Sequence, residues 1–212
     1  MEFLPELIQQ YAENHSDKES ELLQKIAAET LQDIAMPRMI SGHYQGRFLA
    51  MISAMIQPKL ILEIGTYTGY SALCLAEHLS EKGKIITIDK NNELENRVRG
   101  YFSESKYNNQ IDYQIGNAIE IIPKLEETDF DIVFIDADKI NYALYYDLIF
   151  DKVKPGGFII ADNVLWSGKV VEEKKDKKTE AIKSFNQKIN EDIRVENLLL
   201  AIRDGLMIAR KK

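Results

Sequence analysis

Hydrophobic positions along the chain change their period near residue 58. Before it, apolar residues recur at helical spacing. Phe3, Leu4, Leu7, Ile8 and Tyr11 form one stripe, and Leu22, Leu23, Ile26, Leu31 and Ile34 a second that Pro37 stops. A third helix is expected from about Gln45 to Gln57, carrying Phe48, Leu49, Ile52, Met55 and Ile56. After it, short apolar runs alternate with helical stretches. KLILEIG, KIITIDK, QIDYQIG, DIVFID and GGFIIADN read as five strands, the last introduced by a turn at Lys154-Pro155-Gly156-Gly157. Between them lie the helices YSALCLAEHL, Asn92 to Ser105, AIEIIPKL and NYALYYDLIF, and a further helix spans about Thr179 to Asn190.

Strands separated by helices imply a parallel sheet with helices on both faces. The ending breaks the rhythm: VENLLLAI and LMIARK are separated only by Arg203-Asp204-Gly205, the spacing of a hairpin with an antiparallel edge. The expected architecture is α/β and Rossmann-like, a mostly parallel sheet with a C-terminal antiparallel hairpin. One domain, 1–212, accounts for the pattern, with helices over 1–38 and the core over 39–212.

Composition narrows the setting. With 45% hydrophobic and 29% charged residues the chain is a folding one. No apolar run reaches the roughly 18 residues of a membrane span. The start, MEFLPELIQQ, carries acids and no basic leader, so no signal peptide is expected. A lone cysteine, Cys74, excludes an intrachain disulfide and fits a reducing, cytoplasmic interior. A net charge of −7 disfavours nucleic acid as a partner, and the mixed run Lys169 to Glu180 reads as a solvated loop.

In open α/β sheets ligands bind at the carboxyl ends of the strands. The first strand runs into Gly65-Thr66-Tyr67-Thr68-Gly69, a G-x-x-x-G loop rather than the G-x-G-x-x-G of pyrophosphate binders, which favours a nucleoside without a diphosphate. Asp89 ends the second strand, placed to accept ribose hydroxyls; otherwise it is a helix cap. The fourth strand ends in Asp136, Asp138 and Lys139, the fifth in Asp162 and Asn163. If these strands are neighbours, Asp136, Asp162 and Asn163 offer hard oxygen donors suited to Mg²⁺, Mn²⁺ or Ca²⁺ rather than zinc. The alternative is that each acid caps the helix after it. Lys139 is either a helix-start lysine in solvent or a working group beside the acids. Cys74 reads as core, His43 as a surface or capping residue, and Trp166 as an aromatic wall or simple packing.

LEIGTYTGYSALCLA, KIITIDKN, GNAIEIIPKL, FDIVFIDADKINY, KPGGFIIADNVLWSGKVV and RDGLMIARK together resemble the cation-dependent class I O-methyltransferases, which include the catechol and caffeoyl-coenzyme A enzymes. The likeness runs from Met39 onward. It implies a seven-stranded sheet and S-adenosylmethionine as methyl donor. Ser41, Glu63, Gly65, Thr66, Ser71, Asp89, Ala118 and Asp138 would lie around the donor. Asp136, Asp162 and Asn163 would be the metal ligands, for Mg²⁺ first, and Lys139 the general base. The implied acceptor is a small aromatic with vicinal hydroxyls, and the implied assembly a homodimer. Plant members carry Ala-Asp-Glu where this chain has His43-Tyr44-Gln45, and an asparagine where it has Ser167. Two other readings remain: a methyltransferase for 5-hydroxyuridine in transfer RNA, and a binding protein without catalysis.

Overall fold

The computed structural model describes residues 5–173 and 176–212. Phe3 and Leu4 of the first stripe, and Lys174 and Lys175 of the lysine-rich run, lie outside the described residues. The fold class is the expected one, a mostly parallel seven-stranded sheet with a C-terminal antiparallel hairpin. The chain divides into two compact units, essentially residues 6–117 and 118–212.

In the first unit, helices α1 (Glu6–Asn14), α2 (Glu21–Asp33) and α3 (Gly42–Ile56) precede strand β1 (Leu60–Ile64). Helix α4 (Tyr70–Ala76), strand β2 (Lys84–Asp89), helix α5 (Glu95–Glu104) and strand β3 (Ile111–Ile115) follow. The three strands pair in parallel in the order β3-β2-β1. Ser20 caps α2 by accepting the Leu23 N–H at 3.3 Å. That helix ends at Asp33, short of Pro37, because Ile34 is already extended and the next turn is a 3₁₀ one starting at Pro37. Leu31, expected to face inward, is exposed. Every residue of α4 is buried, with Cys74 at 0% exposure, so the apolar reading of that cysteine holds.

In the second unit the order is helix α6 (Ala118–Ile121), strand β4 (Phe130–Ile135), helix α7 (Tyr142–Phe150), strand β5 (Val153–Asp162), helix α8 (Lys177–Glu191), and strands β6 (Val195–Leu200) and β7 (Leu206–Lys211). β4 pairs with β5 in parallel; β7 runs antiparallel between β5 and β6. All six residues of β4 are buried, which fits the unbroken apolar run Ile132–Ile135; its one acid, Asp131, is paired with Lys154. The turn expected at residues 154–157 is instead an irregularity inside β5. Phe130 pairs with Val153 but Ile132 already pairs with Phe158, so the intervening β5 residues bulge out while the strand continues. Asp176 caps α8, accepting from the backbone of Lys178 and Thr179 and from the Thr179 hydroxyl at 2.7–3.1 Å.

Candidate active site

Two groups of polar residues gather at the carboxyl ends of the strands, one in each unit. In the first unit, β1 opens into the glycine loop. Gly65 N–H donates to Ile88 O at 2.8 Å, tying the loop to the end of β2. Gly69 has φ +82°, and a Cβ there would lie 2.7 Å from the Phe102 ring, so glycine is required both by conformation and by space. Asp89 closes the loop: its two carboxylate oxygens accept the Tyr67 N–H at 2.7 Å and the Asn91 N–H at 2.8 Å. A carboxylate has about four acceptor positions, so both oxygens keep capacity for further donors such as ribose hydroxyls. Beneath it, the fully buried Glu63 accepts the Thr87 hydroxyl, and Thr87 in turn meets Thr66 Oγ1 at 2.6 Å. Ser41, at the start of α3, and Ser71, in α4, are both buried. His43 Nε2 lies 2.7 Å from the Asp17 carbonyl, which is 26 residues earlier in the chain.

In the second unit the register does the work. Ile135 pairs with Ala161, so Asp136 and Asp162 come next on neighbouring strands, whose spacing is about 4.8 Å. Lys139 does not reach into solvent. It is 8% exposed, and its Nζ donates to Asp136 Oδ1 at 2.8 Å and to Tyr142 Oη at 2.6 Å. Tyr142, fully buried, passes its own hydroxyl towards the main-chain carbonyls of Asp162 (3.0 Å) and Ile135 (3.3 Å). Burial, and then the negative charges of Asp136, Asp162 and Asp138, push the Tyr142 phenol well above its ordinary range, so it stays a neutral donor.

Asp162 is 3% exposed, and its Oδ1 accepts the Asn163 N–H at 2.6 Å. Asn163 itself takes φ +58°. Asp138 belongs to a separate set of contacts, with Asn141 Nδ2 at 2.7 Å and Tyr145 Oη at 2.6 Å. Ala118 is buried at the start of α6.

The donor set suits a divalent cation. Asp136 and Asp162 end neighbouring strands, Lys139 pairs with the Asp136 carboxylate, and the amide of Asn163 follows Asp162 directly. Among the described residues no group of three or more His, Cys, Asp or Glu side chains could hold a metal. Asp136, Asp162 and Asn163 would offer a cation two carboxylates and an amide, oxygen donors only. That chemistry fits Mg²⁺, Mn²⁺ or Ca²⁺ and not zinc.

After β5 the backbone is unusual. Asn163, Trp166, Ser167 and Gly168 all have positive φ, from 48° to 79°. Non-glycine residues held there cost on the order of 1 kcal/mol each and persist only where their surroundings fix them. The turn at Asp204 and Gly205 supplies main-chain acceptors for this segment. Asp204 is half-buried, and desolvation pushes its carboxyl above the ordinary range against the pull of the Ser167 N–H. Tyr142, Thr87 and Asp204 are the polar residues of these two groups that the sequence reading passes over. The three-residue spacing of Lys139 and Tyr142 across the start of a helix is the one local signal for them.

The chain matches the O-methyltransferase family model over residues 13–212, and it belongs to that family. It is 32% identical over 207 residues to mouse (Mus musculus) catechol O-methyltransferase domain-containing protein 1, an alignment covering 95% of this chain and 79% of that one. It is 31% identical to the catechol O-methyltransferase of Niastella koreensis, over 86% of this chain and 87% of the other. Among solved structures, the SAH-bound methyltransferase PaMTH1 of Podospora anserina superposes with a TM-score of 0.90 at 27% identity, covering 100% of this chain and 99% of that one. The protein is accordingly an enzyme of the O-methyltransferase class.

Proposed function

We propose that the enzyme transfers the methyl group of S-adenosylmethionine to one hydroxyl of a small aromatic bearing two vicinal hydroxyls, with help from a divalent cation. The single observation that carries this reading is the Asp136–Lys139–Tyr142–Asp162 cluster: a buried lysine that donates to the Asp136 carboxylate and to the Tyr142 hydroxyl, which in turn is tied to the main-chain carbonyl of Asp162 at the neighbouring strand end. SAM as donor is supported by the SAH in the Podospora neighbour and by the glycine loop closed by Asp89.

In this reading Asp89 receives the ribose hydroxyls, and Glu63, Gly65, Thr66, Ser71 and Ser41 shape the rest of the donor site. Ala118 and Asp138 complete it. Asp136, Asp162 and Asn163 hold the cation, Mg²⁺ first. When bound, the cation supplies Lewis acidity to the acceptor's hydroxyl oxygens and fixes their position. Lys139 takes up the hydroxyl proton at Nζ, where the Asp136 carboxylate and the Tyr142 oxygen receive the resulting ammonium. The C–S bond of the sulfonium breaks as the O–CH₃ bond forms, and its electron pair stays on sulfur as a neutral thioether. Alignment of the two reactants supplies much of the rate gain in such a displacement. Trp166 forms an aromatic wall for the acceptor ring.

The whole chain acts as one methyltransferase domain in this proposal, and as a homodimer. Exposed apolar side chains on α1 and α3, among them Leu7, Ile8, Tyr11, Met51 and Met55, support a covered face. The lone buried cysteine supports a cytoplasmic setting. No described helix is long and apolar enough to cross a membrane.

The test is a labelled-donor assay on catechol, a caffeoyl ester and undermodified transfer RNA, with EDTA and then with excess Mg²⁺. Turnover of a vicinal diol that EDTA abolishes and Mg²⁺ restores is the expected result. Activity on transfer RNA alone, or turnover indifferent to EDTA, contradicts it. Asp89→Ala tests the donor half separately. SAM affinity should fall about ten- to hundredfold, the worth of one or two hydrogen bonds to a charged group, while the variant still folds. Calorimetric titration with SAM measures it, and an unchanged Kd removes Asp89 from the donor site.

A further inference from the structure

The segment after β5 carries Asn163 and Trp166, yet little within it explains its left-handed backbone. Two of its N–H groups are used internally, Trp166 donating to Asn163 O at 3.1 Å and Gly168 to Leu165 O at 2.9 Å. Three more of its N–H groups donate to one place, the turn between β6 and β7. Val164 N–H donates to Gly205 O at 3.1 Å and Leu165 N–H to Asp204 O at 2.9 Å. Ser167 N–H donates to the Asp204 carboxylate.

The contact is also steric. Gly205 has φ +86°, and a Cβ built on it would sit 2.5 Å from Leu165 Cγ and 3.0 Å from Leu165 N. From the other side Asn186 Nδ2 donates to Val164 O at 2.8 Å, so α8 braces the same segment. The register explains why the turn arrives here: Asp162 pairs with Leu206, which brings residues 204–205 beside the end of β5.

We infer that Asp204 is a positioning residue for the methyl transfer. Together with Gly205 it clamps residues 164–167 in their strained conformation and thereby sets where Asn163 and Trp166 stand. Asp204 touches neither donor nor acceptor in this account. Its carboxylate works through the Ser167 N–H, a charge-assisted bond of the stronger kind. The inference rests on the proposed roles of Asn163 and Trp166 for its catalytic consequence, whereas the clamp itself does not depend on them.

Trp166 is the only tryptophan in the chain, so its fluorescence reports this segment alone. The experiment compares wild type, Asp204→Ala, Asp204→Asn and Gly205→Ala. Acrylamide quenching of Trp166 is measured without ligands, SAM affinity by titration, and kcat and KM with catechol and Mg²⁺. Asp204→Ala and Gly205→Ala should roughly double the quenching constant, red-shift the emission and cut kcat by about tenfold or more, the scale of one charge-assisted hydrogen bond. SAM affinity should stay within about twofold, since the clamp contacts none of the proposed donor residues. Asp204→Asn, which keeps an acceptor oxygen for Ser167, should restore most of the wild-type emission and rate.

Wild-type quenching in Asp204→Ala would overturn the clamp, and so would Asp204→Asn proving as damaging as Asp204→Ala. If Asp204→Ala fails to fold, Gly205→Ala decides by the same criteria. Absence of turnover in the wild type would count against the proposed reaction, while the fluorescence comparison would still judge the clamp.

Discussion

Asp162→Ala should abolish methyl transfer while leaving SAM binding within about threefold of wild type. The loss should reach roughly three orders of magnitude in kcat/KM, since several kcal/mol of transition-state stabilisation is at stake and each 1.4 kcal/mol is tenfold. Asp162 has two separable tasks. Its Oδ1 accepts the Asn163 N–H, which steadies the left-handed residue after β5, and its charge completes the proposed cation site. Asp162→Asn keeps an acceptor for Asn163 and removes the charge. It should therefore melt near the wild-type temperature, whereas Asp162→Ala should melt a few degrees lower, since about 1 kcal/mol shifts a chain of this size by roughly 2–4 °C. Both should be inactive, and both should lose Mn²⁺ binding by electron paramagnetic resonance. Substantial turnover by Asp162→Asn would show that the carboxylate matters only as a hydrogen-bond acceptor.

Lys139→Met should cost about 10² to 10⁴ in kcat, the usual worth of a positioned acid or base. The side chain is nearly as long and as apolar as the stem it replaces, so the packing over Tyr142 survives. What disappears is the group between Asp136 and Tyr142 that can gain and lose a proton. Lys139→Arg provides the sharper control. A guanidinium keeps the positive charge and can pair with Asp136, but it does not give up its proton in a protein. If Lys139 acts as base, the arginine variant should be as inactive as the methionine one. Retention of more than about a tenth of the wild-type rate by Lys139→Arg would reduce the lysine to a countercharge.

The fold was legible because its signals are local and repeated. Strands β1, β2, β4 and β5 each carry a short apolar run, and each of the strands β1 to β5 is followed by a helix before the next strand. The positions of Asp136 and Asp162 could be inferred as well, because strand ends in such a sheet share one edge. Other features depend on partners distant in sequence. Lys154-Pro155-Gly156-Gly157 has the composition of a turn, and only pairing of Phe130 with Val153 shows that β5 passes through it. Leu31 fits a helical stripe, yet it is exposed.

The polar core of the second unit was half visible. IDADK announces its acids and its lysine, but Tyr142 reads as one more aromatic in an apolar helix. Its role comes from three contacts at once: Lys139 Nζ and the carbonyls of Ile135 and Asp162. The Arg203-Asp204-Gly205 turn was legible as a turn and illegible as a support, since its partners lie some forty residues earlier in the chain.

The antiparallel hairpin also imposes an order on synthesis. Residues 204–205 follow, in chain order, everything they hold in place, and β7 must insert beside β5 before their carbonyls can reach Val164 and Leu165. A nascent chain on the ribosome can thus complete its glycine loop and bury β4 while the segment around Trp166 is still unset. In the proposed clamp, the segment around Trp166 is set only once β7 has paired with β5.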